Sequence, residues 1–313
     1  MLSPIKKTII ELGNSDKSLL NSRLSELSNL NSEELESLVR LWAPIEPQRR
    51  RQIVHRLVEL VEDNLELNFD SIFKHCLKDE DDEVRSKAIE GFWENEEASL
   101  IDPLINLLEQ DNSEKVQAAA AIALGKFAML AEHKKLRPCH ISKIQEALLA
   151  AITDKNKPVE VSRRALEAVA PMSLPRVKTA IMEAYQSYNS RLRISSIYAM
   201  GKSYDPSWLP ILLKELASAD ADAEVRYEAA GACGELEEEA AVPCLIKLVN
   251  DPDADPDADV QMAAIQALGK IGSTQAKECL EQCLDSASEA VRQTAKEALN
   301  ELEVIEDPLS YRM

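Results

Sequence analysis

Residues 220–236 read DADAEVRYEAAGACGEL, and residues 255–271 read DPDADVQMAAIQALGKI. The two align without a gap: an aspartate, then Val-Arg or Val-Gln five positions on, a small residue four beyond the valine and a glycine nine beyond it. Val225 is thus followed by Ala229 and Gly234, and Val260 by Ala264 and Gly269; Val116, Ala120 and Gly125 repeat the figure. Residues at plus four, eight and eleven share one face of a helix, and alanine at plus four lets a second helix come close. A glycine near the end of the run suits a left-handed cap or a close contact.

Fainter copies follow Val84, Val161, Leu192 and Val291, so the anchors stand 32, 45, 31, 33, 35 and 31 residues apart. A unit of helix, turn and helix fits five of those six steps. A second apolar stripe, Ala241, Cys244, Leu245, Leu248 and Val249, recurs as Ala276, Cys279, Leu280, Cys283 and Leu284 and marks the other helix of each pair. This self-similarity predicts an all-α fold, a right-handed α-solenoid in which each helix pair buries its apolar face only against its neighbours. The composition agrees. With 45% hydrophobic but only 4% aromatic residues and 8 glycines, the chain suits tightly packed Ala/Leu helices rather than strands.

These residues resemble the HEAT-repeat family, in the short form shared with bilin lyase-like repeat proteins: an aspartate, Val-Arg five residues on, then alanine and Leu-Gly. Asp79, Asp111, Asp220 and Asp255 hold the first position, and Arg85, Arg193, Arg226 and Arg292 the arginine position. The resemblance implies a ladder of hydrogen bonds from turn to turn through these eight residues, structural in purpose. Asn156 and Ser187 replace the aspartate in two copies, and Gln117, Ser162 and Gln261 replace the arginine, so a broken ladder is expected. If its ion pairs are exposed, each adds roughly 0 to 1 kcal/mol and serves register more than stability. The expected organisation is a divergent helical cap over residues 1–68, HEAT-like repeats over 69–302 and a tail over 303–313.

Two steps are long. Residues 251–254 and 255–258 repeat Asp-Pro-Asp-Ala, which reads as a lengthened loop. Its alternating aspartates lack the central glycine and terminal glutamate of a calcium loop. The step of 45 holds Met129 to Ile141, with His133, Lys134, Lys135, Arg137 and His140, and reads as a basic projecting loop.

The net charge of −19 is uneven: −11 over residues 1–132, +8 over 133–202 and −16 over 203–313. The second helix of each HEAT pair usually lines the concave side, so positions two, three and six after each anchor are candidates to face a partner. In and beside the basic band these include Arg163, Arg164, Ile194, Ser195, Tyr198 and Tyr227. A protein with an acidic segment is the expected ligand; acidic flanks disfavour a long nucleic acid. The run Arg49-Arg50-Arg51 with His55 and Arg56 reads as a solvated basic cluster.

No catalytic constellation is legible. The four histidines, His55, His75, His133 and His140, are never followed by glutamate, so the paired His-Glu motifs of the HEAT-repeat deoxyhypusine hydroxylases are absent. There is no HExxH, no GxSxG and no phosphate loop. Cys279 and Cys283 align with Cys244 and Leu248 and read as core fillers rather than metal ligands. Trp42, Trp93 and Trp208 read as packing, with Trp208 the one expected to be partly exposed. No long apolar run or secretory leader is read at the start, and six cysteines are too few for a disulfide scaffold. The expectation is a cytoplasmic, non-membrane, cofactor-free interaction scaffold. The bilin lyase resemblance implies an alternative, a subunit that attaches or detaches tetrapyrroles; a nucleic-acid binder is the third.

Overall fold

The computed structural model describes residues 3–218, 222–250 and 258–306, with residues 305 and 306 described by their backbone alone. Every regular element among them is helical. The chain divides into two compact units, Met1–Ala168 and Val169–Met313. The first holds five pairs: α1 (Pro4–Leu12) with α2 (Asn21–Ser25), α3 (Ser32–Trp42) with α4 (Pro47–Asp63), α5 (Asp70–Cys76) with α6 (Asp82–Glu90), α7 (Ile101–Gln110) with α8 (Glu114–Glu132), and α9 (Pro138–Thr153) with α10 (Val159–Val169). The second holds four: α11 (Pro175–Tyr185) with α12 (Ser190–Lys202), α13 (Leu209–Ala217) with α14 (Ala223–Leu236), α15 (Val242–Asn250) with α16 (Ala258–Ile271), and α17 (Thr274–Cys283) with α18 (Glu289–Glu306). Within each unit these pairs stack in the manner of an α-solenoid, odd-numbered helices in one layer and even-numbered helices in the other.

Local chemistry starts and stops the helices. Proline occupies the first turn of α1, α4, α9 and α11, where its missing N–H costs nothing. Asn31 and Glu34 close a reciprocal capping box on α3. In the turns between paired helices, Asp79, Asp111 and Asp154 each accept from the backbone N–H two residues on, at 2.9, 2.8 and 2.9 Å. These side chains take the place of backbone partners in the tight connection.

The anchor motif sets the spacing of the even-numbered layer. The plus-four residues, Ala88, Ala120, Ala165, Ser196, Ala229, Ala264 and Ala295, are all fully buried. The plus-nine glycines work by close approach, not by a left-handed cap. A Cβ built on Gly201 would stand 2.7 Å from the Ala232 Cα, and one on Gly234 2.8 Å from the Ala267 Cα. Helices that touch backbone to backbone have no room for a methyl group between them.

The Arg85–Asp111 rung of the ladder is buried, not exposed. Arg85 donates to both Asp111 carboxylate oxygens at 2.8 Å, and its other amino group donates to the carbonyls of Asp79 and Glu80 at 2.8 and 3.0 Å. The side chain of Asp111 is only 7% exposed. Where arginine is missing, the function is kept in part: Gln117 donates to the Asp111 carbonyl and Gln261 to the Val249 carbonyl. Lys157 then runs the rung in reverse, donating to Gln117 Oε1 at 3.0 Å and to the Leu108 carbonyl at 2.8 Å. Arg193 pairs with the buried Glu215 of α13 at 2.8 Å, and Arg292 donates to the Ser286 carbonyl at 2.6 Å. Asp220 and Asp255 lie outside the described residues, as do the Asp-Pro run over 251–257 and the tail beyond residue 306.

Three expectations are corrected here. Arg49 and Arg50 are buried. Arg49 donates to the carbonyls of Leu12 and Lys17 at 2.6 and 2.8 Å, Arg50 pairs with Asp79 at 3.2 Å, and Arg51 grips Asp81. Three adjacent arginines thus stitch successive helix pairs instead of solvating a face. The 45-residue step does not form a long basic loop, because α8 and α9 extend to 19 and 16 residues and leave only residues 133–137 between them. Of the tryptophans, Trp42 and Trp208 are 4% and 2% exposed, whereas Trp93 is 48% exposed. Cys279 and Cys283 are buried in the core as fillers, and all six cysteines are free thiols.

Candidate functional site

The even-numbered helices decide which side chains a partner meets. Because they pack so closely, the flanks at plus two and plus three are often covered: Ser86, Ala118, Ile194, Ser195 and Ala263 are all buried. Ile194 and Ser195, expected to face a partner, are therefore closed off by their own layer, at 8% and 1% exposure. The plus-six position points outward. It holds Glu90, Ile122, Tyr198, Gln266 and Glu297, each exposed, and the half-buried Glu167 and Gly231.

Arg163 and Arg164 do not offer free positive charge. Glu160 and Glu167 lie on the same helical face, and the four side chains interlock. Arg163 meets Glu160 at 2.8 Å and Glu167 at 3.6 Å, while Arg164 meets the same two carboxylates at 2.9 Å each. Glu160 is held below its ordinary range by these arginines, against the opposing effect of burial, which is the largest single influence on it. The quartet is electrically balanced, so the basic middle of the sequence is not a basic patch at this point.

Tyr198 and Tyr227 in the second unit are exposed. The Lys202 ammonium sits 5.8 Å from the Tyr198 ring centroid and pairs with Glu235 at 3.1 Å. Tyr227 lines an open cleft of about 640 Å³ between α14 and α16, with Asp222, Glu224, Asp259, Met262 and Gln266.

The first unit carries a feature that motif reading did not single out. Between α6 and α8 lies a cleft of about 460 Å³, lined by Ile89, Phe92, Trp93, Ala119, Ile122 and Ala123, with Glu62, Glu90 and Lys126 at its edge. Trp93 and Ile122 are exposed, and Met129 continues the same face of α8 one turn beyond Lys126. Lys126 braces the floor: its ammonium donates to the carbonyls of Phe92 at 2.7 Å, Trp93 at 3.2 Å and Asn95, tying down the end of α6. Half-burial lowers the affinity of this lysine for its proton, opposed by the fields of Glu96, Asp70 and Glu94. The signal in the sequence was Ile122 itself, a large apolar residue at plus six where three other copies carry Glu90, Gln266 and Glu297.

Among the described residues no three His, Cys, Asp or Glu side chains group to hold a metal ion, and no helix is long and apolar enough to cross a membrane.

Comparison with known proteins follows the same lines. The family model for HEAT repeats matches residues 70–138 and 209–300, more than half of the chain. No curated protein matches the sequence. Among solved structures, the YibA protein of E. coli is 16% identical with a TM-score of 0.50, the match covering 93% of this chain and 99% of that one. The complex of CpcE and CpcF of phycocyanin lyase from Nostoc sp. is 17% identical with a TM-score of 0.50, covering 93% of this chain and 100% of its own. Human deoxyhypusine hydroxylase matches over 96% of both chains at 16% identity, but its TM-score of 0.35 is too loose to argue from. Likeness at these identities is likeness of fold. With the helix pairs, the buried Asp-Arg rungs and the family match in agreement, this chain belongs to the HEAT-repeat family.

Proposed function

We propose that the chain is a non-catalytic scaffold that holds a partner protein along the outward row of its even-numbered helices. The observation that carries this reading is the exposure of large apolar residues on the even-numbered side of each unit: Ile122 at plus six with Trp93 and Met129 in the first, and Tyr198 at plus six with Tyr227 in the second. Isolated exposed apolar residues are ordinary, but large ones gathered on one layer within a unit have the character of a contact surface. The acidic ligand expected from the charge pattern loses its support, since Arg163 and Arg164 are already neutralised by Glu160 and Glu167. Tetrapyrrole lyase activity draws no argument from the phycocyanin lyase complex beyond the shared fold.

The test is site-specific photo-crosslinking in the native cell. A photoreactive residue replaces Ile122 or Tyr198 on the outward row, and Asn106 or Lys247, both exposed on odd-numbered helices, as controls. One protein captured from the outward positions and not from the controls supports the scaffold. Equal capture from both layers, or none from either, overturns it.

A further inference from the structure

The α6–α8 cleft of the first unit has a chemistry of its own, and its occupant follows from that chemistry together with the scaffold reading. Its interior is apolar: Ile89, Phe92, Trp93, Ala119, Ile122 and Ala123. Its surroundings are acidic. Glu62 lies on the lining, and Glu94 and Glu96, one and three residues after Trp93, act electrostatically on Lys126, which also lines it. All three carboxylates are exposed and make no ion pair among the described residues. Glu94 and Glu96 act on Lys126, whose ammonium is already committed to the three carbonyls of Phe92, Trp93 and Asn95. Glu90 has a partner in Lys87 at 2.6 Å, and Glu59 has Arg56 and His55 on its own helix. Unanswered negative charge therefore surrounds an open apolar slot.

We propose that this cleft docks a protein segment that presents one bulky apolar side chain flanked by lysines or arginines. The apolar side chain enters between Trp93 and Ile122, removing both from water, and the flanking cations answer Glu62, Glu94 and Glu96. Apolar burial supplies affinity, and the charges supply orientation and discrimination against acidic segments. Trp93 has the properties of an anchor residue: a large rigid ring, exposed in the free chain, on a turn that Lys126 holds in place. This assignment is opposite in sign to the acidic ligand that the net charge of residues 133–202 implied.

Trp93 also provides the readout, because Trp42 and Trp208 are buried and only Trp93 can sense an occupant of the cleft. The whole chain is titrated with a synthetic amphipathic peptide of leucine and lysine, with its leucine–glutamate counterpart and with an oligolysine of equal charge, following tryptophan emission. The leucine–lysine peptide shifts the emission to shorter wavelength. Ile122→Lys weakens its binding about tenfold or more, and the double variant Glu94→Lys with Glu96→Lys weakens it several-fold and flattens its salt dependence. Circular dichroism and melting of the variants stay at wild-type values, since all three positions are exposed.

An equal response to the glutamate peptide, an equal response to oligolysine, or a shift that survives in Ile122→Lys overturns the proposal. So does a Trp93 shift that appears without peptide as the protein is concentrated and sedimentation shows a dimer, since the occupant is then a second copy of the chain. If the cleft stays empty while crosslinking at Tyr198 still captures a partner, the charge assignment fails and the scaffold reading stands.

Discussion

The guanidinium of Arg85 on α6 and the carboxylate of Asp111 in the following turn meet along two parallel hydrogen bonds, Nε to Oδ2 and Nη2 to Oδ1, both 2.8 Å. Each partner is largely withdrawn from water, and Asp111 also accepts from the backbone N–H of Ser113 at 2.8 Å. Breaking such a pair by removing one member leaves the other charge buried and uncompensated. Asp111→Ala is expected to lower stability by about 3 kcal/mol, measured by urea denaturation. Replacing both members, Arg85→Met with Asp111→Leu, should restore a good part of the loss. A single-variant loss under about 0.5 kcal/mol would place the rung among ordinary surface pairs.

Gly231 and Gly234 lie one turn apart on α14 and should respond oppositely to alanine. A Cβ on Gly231 meets nothing within 4 Å, whereas one on Gly234 lands 2.8 Å from the Ala267 Cα of α16. Gly231→Ala relieves the entropic cost of glycine inside a helix and is expected to stabilise by about 0.5 to 1 kcal/mol. Gly234→Ala forces two helices apart and is expected to destabilise by about 1 to 3 kcal/mol. Paired thermal melts decide the matter; like signs for the two would show that close approach is not what the motif glycine provides.

Asp205 lies under the Lys178 ammonium at 2.7 Å, and hydrogen bonds from Lys178 and then Ser207 hold its carboxyl at about 2. A carboxyl lowered on folding stabilises the folded chain above its unfolded pKa, and that contribution is lost as pH falls through the folded value. The stability difference between wild type and Asp205→Asn should therefore be constant above about pH 5 and shrink progressively between about pH 5 and pH 1. Denaturation at a series of pH values checks it; a gap undiminished at about pH 2 contradicts the pairing.

The six thiols should separate by reactivity. Cys139 is exposed at the start of α9, while Cys76, Cys233, Cys279 and Cys283 are buried and Cys244 is intermediate. Burial pushes the Cys233 thiol up to about 12, so its nucleophilic thiolate is scarce at neutral pH. A chromogenic disulfide reagent is expected to label one thiol rapidly, that of Cys139, and the buried set only on unfolding. Rapid labelling of Cys233 in the native chain would mean that α14 opens locally.

Ala229, Gly234 and their repeats were readable because the contacts they make recur with the period of the chain, so sequence spacing and spatial spacing coincide. The same logic placed Cys279 and Cys283 in the core. It failed for Arg49 and Arg50, whose partners, the carbonyls of Leu12 and Lys17 and the carboxylate of Asp79, lie about 30 residues away or more and follow no composition rule. It failed for Ile194 and Ser195 as well, because burial on a helix flank depends on how closely the neighbouring helix approaches.

The sequence by itself determined the repeating helix pairs and the family, since periodic apolar spacing and small residues act locally and repeat. Only the tertiary structure decided which charges remain free and which apolar side chains stay uncovered. Arg163 and Arg164 are silenced by Glu160 and Glu167 in an interlocked quartet, and Trp93 is left in water beside Ile122. Both outcomes are set by distances between side chains on packed helices, which formal charge and hydropathy do not contain.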